Sequence, residues 1–166
     1  MAVTIDGTTG VSAVQAGAVT TSDLPAGTVL QVVSKQITTE TSTSSTSFVD
    51  LTDFSQAITP SSASSKILVF FSVQSFVNNA NNNSPIRLLR DSTGLQDYDY
   101  WNYSGAGTSM MVSSYSYLDS PNTTSSVTYK LQGRSINGGQ GQSVNFIYDD
   151  VNGDAKGSIT LMEIAA

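Results

Sequence analysis

The sequence contains neither cysteine nor histidine, and each absence excludes a class of chemistry. Without cysteine, the fold cannot depend on disulfide bonds, and no thiolate can bind a metal or act as a nucleophile. Without histidine, the chain lacks the commonest general base, the commonest metal ligand and every triad of the Ser-His-Asp type. These two absences exclude most familiar hydrolase and metalloenzyme designs, so we expect no enzyme, no cofactor and no metal site.

Positive charge is also scarce. Seven Lys and Arg oppose 13 Asp and Glu, which gives a formal net charge of −6, and charged residues make up only 12% of the chain. The cations are scattered, and only Arg87 and Arg90 lie close together in sequence. Nucleic acids and anionic membrane surfaces are bound through clustered Lys and Arg, so neither is an expected partner. Ser, Thr, Asn and Gln take the place of charge, which is typical of extracellular β-proteins and virion surfaces.

Long apolar runs are absent as well. No stretch approaches the ~20 residues needed to cross a bilayer, so membrane insertion is not expected. Residues 1–7 lack the basic segment and continuous apolar stretch of a signal peptide. The sequence therefore predicts a protein that is made in the cytoplasm of a cell, which would be the host cell of a virus. A surface of the secreted type without an export signal fits a virus that leaves its host by lysis.

Alternating apolar and polar residues predict an all-β fold, and no amphipathic helix is apparent. We predict strands at residues 29–37, 47–51, 56–59, 66–77, 85–90, 110–118, 126–134, 144–148 and 158–164. Residues 94–107 are interpreted as a long loop, and Asn152-Gly153 as the tip of a hairpin. Strands in this number, separated by turn residues, imply a single β-sandwich, and a jelly roll is favoured.

The strand at residues 66–77 is apolar on both faces. Its odd-numbered face carries Ile67, Val69, Phe71 and Val73, and its even-numbered face carries Leu68, Phe70 and Phe76. A sandwich strand normally has one face in water, so two apolar faces predict a core on one side and a partner on the other. Leu68, Phe70 and Phe76 are therefore the candidate residues of a subunit interface.

Residues 1–28 are predicted to form an extended N-terminal arm, followed by the sandwich domain at residues 29–166. The arm has too few large apolar residues for a core of its own, and Pro25 and Gly27 punctuate its end. We expect a partner to order it. Its larger apolar residues are the candidate docking contacts, namely Ile5, Val11, Val14, Val19 and Leu24.

Residues 97–103 combine carboxylates, amides and aromatic rings. The candidate ligand residues are Tyr98, Tyr100, Trp101 and Tyr103. Such rings can stack on a host sugar, pack against a neighbouring subunit or the capsid, or belong to the core, and packing is the favoured interpretation.

Two sets of acidic residues are candidates for catalysis and for metal binding, respectively. Asp97, Asp99, Asp119 and Glu163 are the carboxylates available for glycoside cleavage, but no spacing points to a pair. Asp150, Asn152 and Asp154 have the rhythm of a calcium loop, yet Ala155 and Leu161 replace its required Gly and Glu.

Several segments resemble bacteriophage fibre proteins and other virion surface proteins, especially those of aquatic phages. These segments are ITPSSASSKILV at 58–69, SSVTYKLQ at 125–132, GSITLMEI at 157–164, and TIDGTTGVS at 4–12 followed by LPAGTV at 24–29. The resemblance implies a tumour-necrosis-factor-like jelly roll, usually trimeric, on the particle surface, and it brings no catalytic residues.

The chain departs from long fibres because it has no heptads, no collagen repeat and no shaft. A head decoration (cement) protein, a head spike or a small tail-fibre knob is therefore expected. The implied partners are two further copies of the chain and the major capsid or tail protein. In the alternative function, as a receptor-binding module, the partner is a host surface glycan.

Overall fold

The computed structural model describes residues 20, 23–99, 102–105, 107–148 and 155–166. The strands are β1 (Val29–Ile37), β2 (Thr41–Thr43), β3 (Val49–Ile58), β4 (Lys66–Val77), β5 (Asn82–Asn83), β6 (Ile86–Arg90), β7 (Thr93–Tyr98), β8 (Tyr103–Ser104), β9 (Ser109–Asp119), β10 (Val127–Gly133), β11 (Val144–Phe146) and β12 (Gly157–Ile164), with a 3-10 helix at Gly138–Gln140. Among these residues there is no helix long and apolar enough to cross a membrane.

The strands form two packed antiparallel sheets. The first sheet has the order β1-β12-β4-β9, and β11 and β2 extend it along the end of β4 that β12 does not cover. The second sheet has the order β3-β10-β6-β7. The chain passes repeatedly from one sheet to the other, and this order is that of a jelly roll. The prediction of an all-β jelly-roll sandwich is confirmed.

Strict alternation along the long strands produces the core between the sheets. Ile67, Val69, Phe71 and Val73 of β4 are each at most 2% exposed. They pack in one buried cluster with inward residues of the second sheet, among them Phe54, Leu88, Tyr129 and Leu131. Because successive side chains point to opposite faces, the even-numbered residues of β4 face away from this core.

Strand β3 is one long strand where the sequence predicted two short ones. Its pairing with β10 shifts register between Lys130 and Gln132, and Asp53 has a φ of 62°. A bulge at this point interrupts the alternation, and that interruption divides the strand in the sequence pattern.

Two sequence-based expectations are wrong. Residues 94–98, predicted within a loop, belong to edge strand β7 (Thr93–Tyr98), which has little apolar alternation because most of it faces water. Strands β11 and β12 do not form a hairpin, since both run antiparallel to β4 along the same edge and therefore run in the same direction. The predicted hairpin tip itself, within residues 149–154, lies outside the described residues.

Residues 24–28, the end of the predicted arm, lie beside the last strand, and we call them the arm root. The Gly27 amide donates to the Ala165 carbonyl at 2.8 Å, and the Ala165 amide donates to the Thr28 carbonyl at 2.9 Å. Leu24 is half-buried there. The other candidate docking residues, Ile5, Val11, Val14 and Val19, lie outside the described residues.

The sandwich has two distinct ends. We call the end with the arm root, loop 59–65, loop 120–126 and Ala165 the proximal pole. The opposite end, with loops 78–85 and 134–142 and the described residues of 99–107, is the distal pole. Strand β4, with 12 residues, runs from one pole to the other, a length of about 40 Å at ~3.3 Å per residue.

Candidate functional site

An apolar row crosses the outer face of the first sheet near the proximal pole. Strand pairing places Val32 beside Met162, Met162 beside Leu68, and Leu68 beside Leu118. Val32 is 53% exposed and Leu118 is 52% exposed. On the next rung, Phe70 is 41% exposed. These five side chains form a continuous apolar strip on the surface of the subunit.

The rest of this face is polar in the middle and apolar again toward the distal pole. The middle rungs carry Ser34, Thr160, Ser72, Ser158, Ser114 and Ser116. Farther along, the Phe76 ring stacks on Tyr148 with centroids 4.2 Å apart. All three predicted interface residues thus lie on the outer face of the first sheet. Leu68 and Phe70 are close together near the proximal pole, and the polar middle of the face separates them from Phe76.

The sandwich is closed along one side and open along the other. At the β1/β3 side, the Lys35 ammonium donates to the Asp53 carbonyl at 2.9 Å, and Gln31 donates to the Thr59 carbonyl at 2.7 Å. At the other side, β9 pairs with β4 alone among the described strands, so its outer edge has no strand partner there. We call the free edge of β9 with its adjoining side chains the open flank.

Apolar side chains project from both faces of β9 at the open flank. On the outward face, Met110 and Val112 are 54% and 64% exposed. On the face turned toward the core, Met111 and Tyr115 are still 41% and 46% exposed. A long, exposed, apolar edge strand is a site where another chain pairs or packs.

Tyr98 packs beside this flank. Its ring lies 5.7 Å from that of Phe71 in an edge-to-face arrangement and 4.5 Å from that of Tyr115. Burial raises the pKa of the Tyr98 hydroxyl. Of the other candidate ligand residues, Tyr103 is exposed at the distal pole, and Tyr100 and Trp101 lie outside the described residues.

The outer face of the second sheet has the opposite character. Arg87 makes two hydrogen bonds to Asp97, of 2.6 and 2.7 Å, and these lower the pKa of Asp97. The guanidinium groups of Arg87 and Arg134 lie 4.2 and 4.7 Å from the Phe48 ring centroid. Paired charges of both signs suit a surface that stays in water.

Two buried carboxylates close the proximal pole. Asp119 accepts hydrogen bonds of 2.6 Å from Tyr129 and from Arg90, and it thereby joins β9 to the second sheet. Glu163 accepts from Gln31 at 2.6 Å and from both the amide and the hydroxyl of Ser61 at 2.7 Å. Asp119 and Glu163, two of the four acids available for glycoside cleavage, therefore act here as acceptors that hold structural elements together.

Within the part of the chain that the structure describes, no three Asp or Glu side chains cluster closely enough to hold a metal ion. Asp150, Asn152 and Asp154 lie outside that part.

Sequence reasoning missed the open flank and the Arg90–Asp119–Tyr129 cluster. The consecutive apolar residues Met110, Met111 and Val112 were a usable signal, because three in a row leave no polar face on the strand. The cluster had no such signal, since Arg90 and Asp119 are far apart in sequence.

Comparisons with known proteins leave the family open. No protein-family profile and no curated protein matches the chain. Solved structures do match, and one is the crystal structure of the infectious bursal disease virus VP2 subviral particle. That match has a TM-score of 0.43 and 11% sequence identity, and it covers 83% of this chain and 38% of the other. A likeness this distant carries no argument about function.

Proposed function

We propose that this protein is a non-enzymatic structural component of a bacteriophage particle. In this proposal it is a homotrimer on the virion surface, as a head decoration protein, a head spike or a small fibre knob. The observation that carries the proposal is the presence of two different exposed apolar surfaces on one subunit, the apolar row and the open flank.

Two unlike surfaces favour a head-to-tail contact between copies. The open flank of one subunit packs against the apolar row of the next, so each copy uses both surfaces once. Head-to-tail contacts close into a ring when the rotation between copies permits it. A ring of three agrees with the trimeric jelly rolls that the sequence segments resemble.

The arm supplies the attachment in this proposal. The arm root lies at the proximal pole, and in this proposal residues 1–22 bind the major capsid or tail protein. The paired charges on the second sheet then face water around the trimer.

Light scattering on the purified full-length protein tests the assembly. We expect a mass three times that of the 17.4 kDa chain. A stable monomer at micromolar concentration would contradict the proposed trimer.

Deletion of residues 1–22 tests the attachment. This deletion keeps the arm root, whose bonds to Ala165 belong to the fold. We expect the shortened protein to remain a folded trimer and to lose binding to particles that lack the native protein. Full decoration of particles by the shortened protein would refute docking through the arm.

A further inference from the structure

The distal pole carries an exposed aromatic ring, that of Tyr103, which lies outside the two surfaces assigned to contacts in the proposed trimer. We infer that the distal pole binds an uncharged glycan, with the Tyr103 ring stacking on a sugar. The inference deepens the proposed function, because the glycan is the distal partner of a particle-bound protein.

Buried amides tie the distal loops together. Asn82 is fully buried, and its Oδ1 accepts from the Ser135 hydroxyl and the Asn137 amide, both at 3.1 Å. These bonds join loop 78–85 to loop 134–142. Asn83 also pairs with Tyr103 in the small β5–β8 sheet, which joins both loops to loop 99–107.

Asn102 fixes the same loops to the sandwich. It is fully buried, and its amide group donates to the Ser75 carbonyl of β4 at 3.0 Å and to the Ser109 carbonyl of β9 at 3.3 Å. The Ser109 hydroxyl donates back to Asn102 Oδ1 at 2.7 Å. The described hydrogen bonds satisfy both polar atoms of the Asn102 side chain, whereas Asn82 Nδ2, Asn83 Oδ1 and Ser84 Oγ are buried without a hydrogen-bond partner among the described residues. The bonds of Asn102 and of Asn82 Oδ1 hold the loops together as a platform.

Two apolar groups project from this platform. Tyr103 is 55% exposed and its hydroxyl donates to Asn81 Oδ1 at 3.2 Å, which orients the ring. Ile136 is 41% exposed, and its amide donates to the carbonyl of Asn83, the strand partner of Tyr103. A phenol ring among amides matches a sugar, which has one apolar face and a rim of hydroxyls. Loops rich in Tyr, Asn, Ser and Gly on a rigid sandwich are also typical binding surfaces.

The balance of charges on the platform indicates whether a neutral or a charged glycan fits it better. Asp99 and Arg134 are the charged residues of the three loops in their described parts, and they face each other at 3.5 Å. With one charge offsetting the other, the platform has no excess of either sign. An uncharged glycan therefore fits better than an acidic polysaccharide.

The position of the platform suits presentation. It lies at the pole opposite the arm root, so a docked trimer turns three copies outward together. Weak single contacts then add up to firm attachment.

The single tryptophan provides a direct assay. Trp101 lies two residues before Tyr103 in sequence, and its fluorescence reports on this loop alone. The full-length protein is titrated with oligosaccharides from mannan, galactan, glucan and N-acetylglucosamine polymers, and with an acidic alginate oligosaccharide. We expect a saturable fluorescence change with at least one neutral member and none with alginate.

Variants distinguish stacking from an unspecific effect. Tyr103→Ala should weaken binding at least about tenfold, and Tyr103→Phe, which keeps the ring, should stay within about threefold. Val29→Ala truncates an exposed apolar residue near the proximal pole and should change nothing. Circular dichroism checks that each variant is folded.

Several outcomes would overturn the inference. The first is that no neutral oligosaccharide binds at millimolar concentration. The second is that only alginate binds, and the third is that Tyr103→Ala binds as well as the native protein. Attachment to bacterial cells that survives periodate but is lost after protease treatment would assign the pole to a protein receptor instead. A monomer that still binds the sugar would refute the trimer and leave this site standing.

Discussion

Glu163 is a fully buried carboxylate among apolar neighbours on β12. Burial acts to raise the pKa of Glu163, but hydrogen bonds from Gln31 and from the hydroxyl and amide of Ser61 outweigh it and lower the pKa below its usual value. A carboxyl group whose pKa is lowered by folding stabilises the folded state above its unfolded pKa. That stabilisation is lost as the pH falls through the folded pKa.

Replacement of Glu163 by Gln should therefore change both the stability and its pH dependence. We expect the free energy of unfolding at neutral pH to fall by about 1–3 kcal/mol, because the charge-assisted hydrogen bonds are lost. The difference between the two proteins should be constant from about pH 7 to about pH 5 and shrink from there to the lowest pH at which both proteins fold, because the pH then passes the ordinary glutamate pKa of about 4.3 and Glu163 takes up a proton. Urea unfolding of both proteins across this range measures it, and a difference that stays constant below about pH 5 would contradict the assignment.

Asp119 differs from Glu163 because its partner Arg90 carries a full positive charge. Asp119→Asn leaves that guanidinium at the edge of the core without a counter-ion, and we expect a loss of about 3 kcal/mol in urea unfolding. Tyr129→Phe removes only the hydroxyl and should cost about 1 kcal/mol. Asp97→Asn is the control, because its pair with Arg87 is more exposed and should contribute under about 1 kcal/mol. Equal losses for Asp119→Asn and Asp97→Asn would argue against a special role for the buried cluster.

At the scale of the strand, alternation alone predicted those elements that bury one whole face. Strands β4, β10 and β12 alternate because every second side chain meets the core, and their bounds follow closely from the sequence. Strand β7 escaped prediction because it lies at an edge, where Gly94, Gln96 and Asp97 face water. The pairing of β11 and β12 with β4 is set by contacts distant in sequence, which a local Asn-Gly signal does not contain.

The candidate surfaces, like the strands, could be predicted from the sequence only in part. Parity along β4 is enough to place Leu68, Phe70 and Phe76 on one outward face. The open flank depends on β9 being the last strand of its sheet, and that is a property of the topology. Likewise, the contact between the Tyr98 and Tyr115 rings joins the two sheets, and the sequence of residues 97–103 contains no signal for it.

Strand β9 offers the sharpest test of the proposed assembly at this scale. Val112→Lys puts a charge on the open flank, which packs against the next subunit in the proposed trimer, and burying that charge unpaired should weaken association by about 3 kcal/mol or more. Sedimentation should show a shift from trimer toward monomer at micromolar concentration. Ala57→Lys makes the matched change at an exposed position of the second sheet and should leave the trimer intact. Equal behaviour of the two variants would place the interface elsewhere.

For the whole molecule, assembly and stability are linked if the trimer forms. Association stabilises the folded state by mass action, so the melting temperature should rise with protein concentration. Calorimetry over a hundredfold range of concentration measures this, with Val112→Lys as the reference. We expect the melting temperature of the variant to depend on concentration much less. A native melting temperature independent of concentration would speak against the trimer.

The bonds between the arm root and Ala165 determine how the protein responds to tension. A pull on the arm that is opposed at the distal pole reaches the domain first at Gly27 and Thr28, which are bonded to Ala165, and then acts along the axis of β1. The hydrogen bonds between β1 and β12 lie across this axis. Tension along β1 therefore strains all of these hydrogen bonds at the same time, in shear, and does not break them one after another. In the proposed attachment to a particle, tension on the arm would load all the hydrogen bonds of the β1–β12 ladder at once.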